Sequence, residues 1–384
     1  MGLGQLSAPG LSPHVRHTQA LLFLMVNNFE IGGTERQFVT VATELTRLYK
    51  TVSCGCIARK GPLASQVSRV EEFPLGGSFY NPGALLNSYR LYRYLRRNRI
   101  NIAHAFDFYT NVLMAPSARM ARVPVVIGSH RQLGDLLSPA QFRVQMAAYR
   151  FCHCVVCNSK AAADVLVRAG LPQTKIAVIP NALSRELNTT PPPALSQDPS
   201  RIRIGVIARM NSWEKGHTTF IDAAGGMARN HPELEFVFAG DGPLRPQIEA
   251  SASKAGITSQ SRFLGDCRNV PAVLASLDLT VNPSRSESLS NSLVESMAMG
   301  VPVIAFPVGG NVELIHDGRT GLLAAGNDAS SLAIAMERFV QDAAFRRECG
   351  QAARIYAWQT FGTDQVMQSY IALYDRLLDA SVAT

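Results

Sequence analysis

Two doubly wound Rossmann-like α/β domains facing across a cleft are the architecture this sequence predicts, and three observations predict it. Short Val/Ile-rich runs alternate with amphipathic stretches along the whole chain, as in parallel sheets covered by helices on both faces. A proline-rich polar stretch near residue 190 divides that alternation in two. The 384 residues suffice for two domains of ordinary size, each with its own core.

In the first half, the runs at 20–26, 51–57, 101–105, 124–128, 152–157 and 176–179 read as strands. The stretch Thr34–Tyr49 reads as a helix, because Phe38, Val41, Ala42, Leu45 and Leu48 fall on one stripe. Thr34 and Gln37 fit a capping box at its start. In the second half, strands are expected at 202–208, 235–239, 278–282 and 301–306. Helices are expected near 216–229, 244–255 and 290–299. Ser184–Ser200 contains three consecutive prolines between polar flanks, which exclude regular structure and mark a linker. The expected divisions are a loose Gly/Pro/Ser-rich leader (1–18), a first domain (19–184), a linker (185–200), a second domain (201–360) and a closing helix (361–384). Ala20–Val26 runs straight into Asn27-Asn28 with no small-residue cleavage site, so it reads as a first strand and not a signal peptide.

Hydrophobic content of 47% with 17% charged residues describes a globular chain. The net charge of +8 is unevenly spread: residues 1–190 hold 21 Lys/Arg against 9 Asp/Glu, and residues 191–384 hold 16 against 20. The basic half suits an anionic partner, or is simply a solvated basic face. The seven cysteines are odd in number and irregularly spaced, so the expected compartment is the cytoplasm. Cys152, Cys154 and Cys157 with His153 alternate like a strand and lack a second ligand pair at zinc spacing. No run reaches the ~18 apolar residues of a membrane span.

The most informative stretch is Ser286–Gly300, S-E-S-L-S-N-S-L-V-E-S-M-A-M-G. Glu287 and Glu295 stand eight residues apart around an expected strand–turn–helix junction. Ser288, Leu289 and Ser290 would present free backbone N–H groups at the helix start, a seat for phosphate oxygens. Carboxylates beside such a seat repel phosphate and suit hydroxyls, so a diphosphate flanked by hydroxyl-rich rings fits both: a nucleotide sugar. Upstream, Arg209 ends an expected strand and Lys215 follows six residues on, a guanidinium fork and a point charge able to neutralise a diphosphate. Phe238–Arg245, with Gly240, and Phe263–Pro271, with Asp266, are strand-end loops that could present backbone to a base or be ordinary turns. In the first half, Gly32-Gly33 opens the first helix, and His130 lies just past a strand at the expected cleft edge. Glu295 could instead cap its own helix through S-x-x-E with Ser292.

Together these elements closely resemble the family 4 glycosyltransferases, retaining enzymes of the two-Rossmann-domain GT-B fold. The resemblance runs from Ala20 to about Leu378, through G-G-T-E, R-x5-K, the E-x7-E pair and Ala298–Ile315 with its V-G-G-N-V-E. It implies that Arg209 and Lys215 bind the donor diphosphate and that Glu287 holds hydroxyls of the transferred sugar. It implies too that the Leu289 and Ser290 amides touch phosphate and that Glu295 holds the ribose. Gly33 would border the reaction centre, His130 would lie near the sugar, and the closing helix would cross back onto the first domain. Many relatives carry glycines where this chain has Ser288 and Ser290, which leaves the amides in place but bears on sugar preference.

The expected partners are a UDP- or GDP-type nucleotide sugar and a glycan or lipid-linked acceptor, with no nucleic acid. No D-x-D-type cluster appears, so no metal is expected and the two cations would serve the leaving diphosphate. Leu85–Arg99, with five Arg among Leu and Tyr, reads either as a crossover helix with a basic outer face or as a peripheral contact with an anionic membrane. A nucleotide-sugar epimerase on the same fold, or a non-catalytic sugar-binding subunit, are the competing classes.

Overall fold

The computed structural model describes residues 16–75, 82–267 and 269–382, so most of the expected leader and Arg268 of the Phe263–Pro271 loop lie outside the described residues. The chain divides into two compact units, Met1–Asn158 with Ala162–Ala182 and Gly362–Thr384, and Ser159–Ala161 with Leu183–Phe361.

The first unit is a seven-stranded parallel sheet. Its strands are β1 (Leu21–Val26), β2 (Thr51–Cys56), β3 (Val70–Glu72), β4 (Ile102–Ala105), β5 (Val125–His130), β6 (Cys154–Cys157) and β7 (Ile176–Val178), in the order β3-β2-β1-β4-β5-β6-β7. Its helices are α1 (Gly33–Leu48), α2 (Pro82–Arg97), α3 (Phe108–Met120), α4 (Pro139–Tyr149) and α5 (Lys160–Arg168). Alternate residues along β1 face opposite layers. Leu22, Leu24 and Val26 pack with Phe38, Val41 and Leu45 of α1, while Phe23 and Met25 pack with Leu91 and Leu95 of α2.

The second unit is a six-stranded parallel sheet of β8 (Ile202–Ile207), β9 (Leu234–Ala239), β10 (Ser261–Gly265), β11 (Leu279–Asn282), β12 (Val303–Ala305) and β13 (Gly321–Leu323). Their order is β10-β9-β8-β11-β12-β13. The helices are α6 (His217–Ala228), α7 (Arg245–Lys254), α8 (Val270–Leu274), α9 (Asn291–Ala298), α10 (Asn311–Leu314), α11 (Ala329–Gln341) and α12 (Ala343–Phe361). Phe220, Phe236 and Phe238 anchor the core on the α6 face, and Leu293, Met297 and Ala353 anchor the other. Both sheets are doubly wound, as expected, and in each the strand order reverses at one place: between β1 and β4, and between β8 and β11. Ligands of open α/β sheets bind outside the carboxyl ends at such a reversal.

The last helix, α13 (Thr363–Val382), is part of the first unit. Val366, Met367, Tyr370, Ile371 and Tyr374 bury one stripe of it against the α1 face of the sheet. Polar contacts fix its register. His104 bridges Tyr374 Oη (2.8 Å) and Ser129 Oγ (2.9 Å), both buried. Arg131 donates to Tyr370 Oη (2.8 Å) and Asn181 Oδ1 (2.7 Å) while lying over the Phe106 ring.

Several expectations are corrected. β3, β10 and β13 were missed as strands, being short or edge segments with weak apolar patterning. The Thr34–Gln37 capping box does not form. The α1 N-cap is Gly32 without a side-chain bond, and Gln37 turns inward to exchange two 2.8 Å bonds with the backbone of Ala182. The 185–200 segment is irregular at its prolines, but not throughout. It carries a 3-10 turn at Arg185–Asn188, and Ala194 N donates to Ala272 O (2.8 Å). Leu195 N donates to Ser276 Oγ (3.0 Å), so this stretch is strapped along the second unit. The end of the expected leader is also held, since Arg16 N donates to Asp375 and His17 pairs with Asp379 of α13.

Replacing Tyr374 by Phe leaves a ring nitrogen of buried His104 without its partner. We expect a loss of about 1–3 kcal/mol in urea unfolding; an unchanged midpoint would show that the clasp adds nothing.

Candidate functional site

In the second unit, the reversal of strand order places the β8 and β11 carboxyl ends side by side, and each feeds a charged loop. After β8, Arg209 is exposed, and no hydrogen bond or ion pair holds it among the described residues. Six residues on, Lys215 ends a 3-10 turn (Trp213–Lys215) that Ser212 starts by accepting from Glu214 N. After β11, Glu287 sits on the loop leading to α9. Lys215 Nζ and Glu287 Oε1 meet at 2.8 Å, with side chains 33% and 15% exposed. The ion pair is therefore partly desolvated but still open to solvent on one side.

Backbone contacts hold that pair in place. Gly216 has φ +70°, and a Cβ there would lie 1.9 Å from Pro283 O. Only glycine lets the Lys215 turn pack on the end of β11. Arg285 N then donates to Glu214 O (2.9 Å), pinning the two loops together. On the other side, Gly310 N donates to Glu287 O (2.9 Å), and a Gly310 Cβ would lie 1.8 Å from Ser288 O. The V-G-G-N stretch thus serves as a backstop for the Glu287 loop.

The helix after this loop, α9, begins one residue later than expected. Its N-cap is Ser290, whose hydroxyl accepts from Leu293 N and from Asn282 Nδ2 (2.7 Å). Asn282 Oδ1 accepts from Ser284 N (3.0 Å), so one amide at the end of β11 shapes the whole turn. Because Ser290 is the cap, Ser292 is not the capping residue considered for Glu295; Glu295 lies within the second turn of α9. Ser288, Leu289 and Ser290 are buried as side chains, and a helix N-terminus with its leading amides lies at this carboxyl edge.

Gly240 packs closely on a neighbouring strand end. Its Cβ would lie 2.1 Å from Ala208 O, so the Gly240–Gly242 turn is needed for close packing against the Arg209 loop. Met210 N donates to Asp241 O (2.8 Å), and Leu244 N donates to Met210 O (2.9 Å). Asp266 is exposed just beyond β10.

In the first unit, Gly33 is the exposed first residue of α1, at the carboxyl end of β1. His130 is the last residue of β5, at its carboxyl end rather than just past it, and is wholly buried. One ring nitrogen, Nδ1, faces Gln145 (3.4 Å) and Tyr149 Oη (3.3 Å), while Nε2 has no partner among the described residues. Burial lowers its imidazole to about 4, so it is neutral near pH 7.

Three residues of these edges were missed. Asp107 closes β4, caps α3 and accepts from Asn27 N (2.6 Å), tying the β4 end to the β1–α1 loop. Burial, with Glu35 nearby, pushes its carboxyl up to about 6, against the backbone bonds that lower it. Its D-x-x-T capping box after a strand was legible. His217, at the start of α6, is buried and held at about 4, chiefly by burial. Trp213 is half-exposed beside Lys215.

Among the described residues, no group of three or more His, Cys, Asp or Glu is arranged to hold a metal ion. The seven cysteines are free thiols.

Residues 31–187 match the family described as Glycosyltransferase Family 4, and residues 201–342 match Glycosyl transferases group 1. The chain is 29% identical over 231 residues to 2-deoxystreptamine glucosyltransferase of Streptomyces kanamyceticus, covering 58% of this chain and 59% of that protein. It is 29% identical over 192 residues to the lipopolysaccharide core biosynthesis mannosyltransferase LpsB of Rhizobium meliloti, covering 48% and 54%. The chain spans about half the length of the curated relatives it matches, 59%, 41% and 54% for the first three. Its fold is that of HepE from Anabaena, solved with UDP, at a TM-score of 0.80 and 21% identity over 93% of this chain and all of that one.

Two expectations follow from this geometry. Gly216→Ala should cost about 2–4 kcal/mol in stability, through its left-handed backbone and the clash with Pro283 O. Full stability in thermal unfolding would refute the close approach. The second concerns acid. An unfolded histidine protonates near 6.5, but buried His104, His130 and His217 refuse the proton until well below that. The unfolded state then binds more protons, so stability falls with pH below about 6.5. Folded Asp107 takes up a proton near 6 and offsets one of the three. A net two protons, at about 1.4 kcal/mol per proton and pH unit, should lower the melting temperature steadily from pH 6 to 4. A flat profile would contradict the buried neutral imidazoles.

The two units of the chain thus carry a glycosyltransferase family 4 domain followed by a glycosyl transferases group 1 domain, in a GT-B architecture.

Proposed function

We propose that the protein is a retaining, metal-independent glycosyltransferase that moves a hexosyl group from a nucleoside-diphosphate sugar to a glycan or lipid-linked acceptor. The observation that carries this reading is the Lys215–Glu287 pair, with Arg209, unpaired among the described residues, at the carboxyl end of neighbouring β8. On this reading the two cations and the α9 N-terminus, all at the carboxyl edge of one sheet, would neutralise a diphosphate. A carboxylate among them suits sugar hydroxyls rather than phosphate. Glu295, in the second turn of α9, is assigned to the ribose, and the Leu289 and Ser290 amides to phosphate oxygens.

In this mechanism, Arg209 and Lys215 stabilise the charge that develops on the leaving diphosphate. They take the part a divalent ion plays elsewhere. The departing phosphate oxygen accepts the acceptor's hydroxyl proton on the same face, so the anomeric configuration is kept. Glu287 turns the sugar through its hydroxyls, and neutral His130, whose Nε2 has no partner among the described residues, is a hydrogen-bonding group for that sugar.

UDP is the first nucleotide to test, because HepE is solved with UDP and with UDP-glucose. Polysaccharide or envelope-glycan assembly is the proposed setting, in keeping with relatives named for lipopolysaccharide core biosynthesis.

The experiment is a panel of UDP- and GDP-sugars with saccharide acceptors, with and without EDTA, scoring nucleotide release and product configuration. Activity should survive EDTA, and Arg209→Ala or Lys215→Ala should each lower kcat about 10²–10³-fold with the fold intact. Near-normal turnover in either variant would overturn the assignment. A product still attached to nucleotide would reveal an epimerase instead.

A further inference from the structure

The helix α2 is amphipathic in an unusual sense: both of its faces are apolar in part. Its inner face carries Leu91, Leu95 and Tyr94, which pack on Phe23 and Phe73 of the sheet. This contact accounts for its role as the crossover between β3 and β4. It does not account for the outer face. There Leu85 is 76% exposed, Leu86 60% and Tyr89 55%. Arg90, Arg93, Arg96 and Arg97 follow them, all exposed.

At ~100° per residue, these seven positions fall within an arc of about 140°. The face is therefore one surface, apolar in its first turns and cationic in its last. None of the four arginines has a carboxylate partner among the described residues. Arg90 bonds Asn87, Arg96 bonds Tyr92 Oη, and Arg93 lies over the Tyr89 ring. No Asp or Glu occurs anywhere between Glu72 and Asp107.

A solvated basic face explains the arginines but not two adjacent exposed leucines and a tyrosine on the same arc. Nucleic acid offers phosphates, yet its backbone gives Leu85 and Leu86 nothing to bury against. A bilayer with anionic headgroups offers both, as apolar side chains enter the acyl boundary while guanidinium groups take phosphate. No helix among the described residues is long and apolar enough to cross a membrane, so the contact would be superficial. We propose that the outer face of α2 is a docking surface for an anionic lipid bilayer, with Leu85, Leu86 and Tyr89 inserted and Arg90, Arg93, Arg96 and Arg97 on headgroup phosphates. The inference is independent of the glycosyl-transfer reading, since vesicle binding needs no substrate.

The test is co-flotation of the full chain with vesicles. It should bind vesicles holding about 30 mol% phosphatidylglycerol in phosphatidylcholine at low salt. It should leave pure phosphatidylcholine vesicles unbound and be released at about 0.5 M NaCl, where the screening length falls to a few ångströms. Arg93→Glu and Arg97→Glu should each lower partitioning fivefold or more, at ~1 kcal/mol per basic group. Leu85→Ser with Leu86→Ser should lower it about tenfold or more at every salt concentration. Arg347→Glu, on α12 of the other unit, should change little, and thermal unfolding checks that each variant is folded. Absence of binding at low salt, equal binding to neutral vesicles, or indifference to the α2 charge reversals would overturn the proposal. So would binding that survives the leucine substitutions and is competed away by double-stranded DNA, which would mark a general polyanion site.

Discussion

The Lys215–Glu287 ion pair is the contact on which the candidate donor site depends, and the backbone, more than the charges, makes it possible. A partly exposed Lys–Glu pair is worth little in stability by itself. What matters here is that it forms in one place. Gly216 lets the Lys215 turn rest on Pro283, and Gly310 lets a second turn rest on Ser288. Between these supports, the loops carrying the two charges have little freedom. The ammonium and carboxylate are preorganised, so little ordering cost is left for a ligand to meet.

The same logic places the site at the reversal of strand order. β8 and β11 are neighbours in space but lie more than seventy residues apart in the chain (Ile207 to Leu279). Their following loops diverge toward opposite faces of the sheet, α6 to one and α9 to the other, and open a crevice at the strand ends. The first unit repeats the pattern at β1 and β4, where Asp107 holds Asn27 beside the glycines that open α1. Buried groups of unusual protonation gather at these edges: neutral His130 and His217, and Asp107 pushed up to about 6. Such perturbed groups are common where a protein prepares a site, and they also set its sensitivity to acid.

Three helices show how the chain uses surface differently according to position. α13 buries its stripe and adds His104–Tyr374 and Arg131–Tyr370, polar contacts that specify one register over its neighbours. α9 is short, and its cap is held by Asn282 so that its leading amides stay at the sheet edge. α2 packs by one face and leaves leucine, tyrosine and arginine on the other. An exposed apolar cluster on a monomer is a cost in solubility, and it persists where a partner covers it.

By itself, the sequence determined the two-domain α/β class, most strands and the helices that follow them, because periodicity and buried Val/Ile runs are local signals. Arg209, Lys215 and Glu287 were legible by their places after expected strands, and the structure joins two of them, Lys215 and Glu287. Only the tertiary structure decided the rest. Gln37 looked like a capping residue, yet it turns inward to Ala182, a partner 145 residues away. The glycines at 240 and 310 gave no sign of the neighbouring carbonyls, Ala208 O and Ser288 O, that they leave room for. His130 was legible as a strand-end residue but its burial was not, and Asp107 gave no sign of its altered protonation. Each of these depends on what the chain brings alongside from a distance, through sheet order and close approach of backbone. Local pattern carries no information about such neighbours.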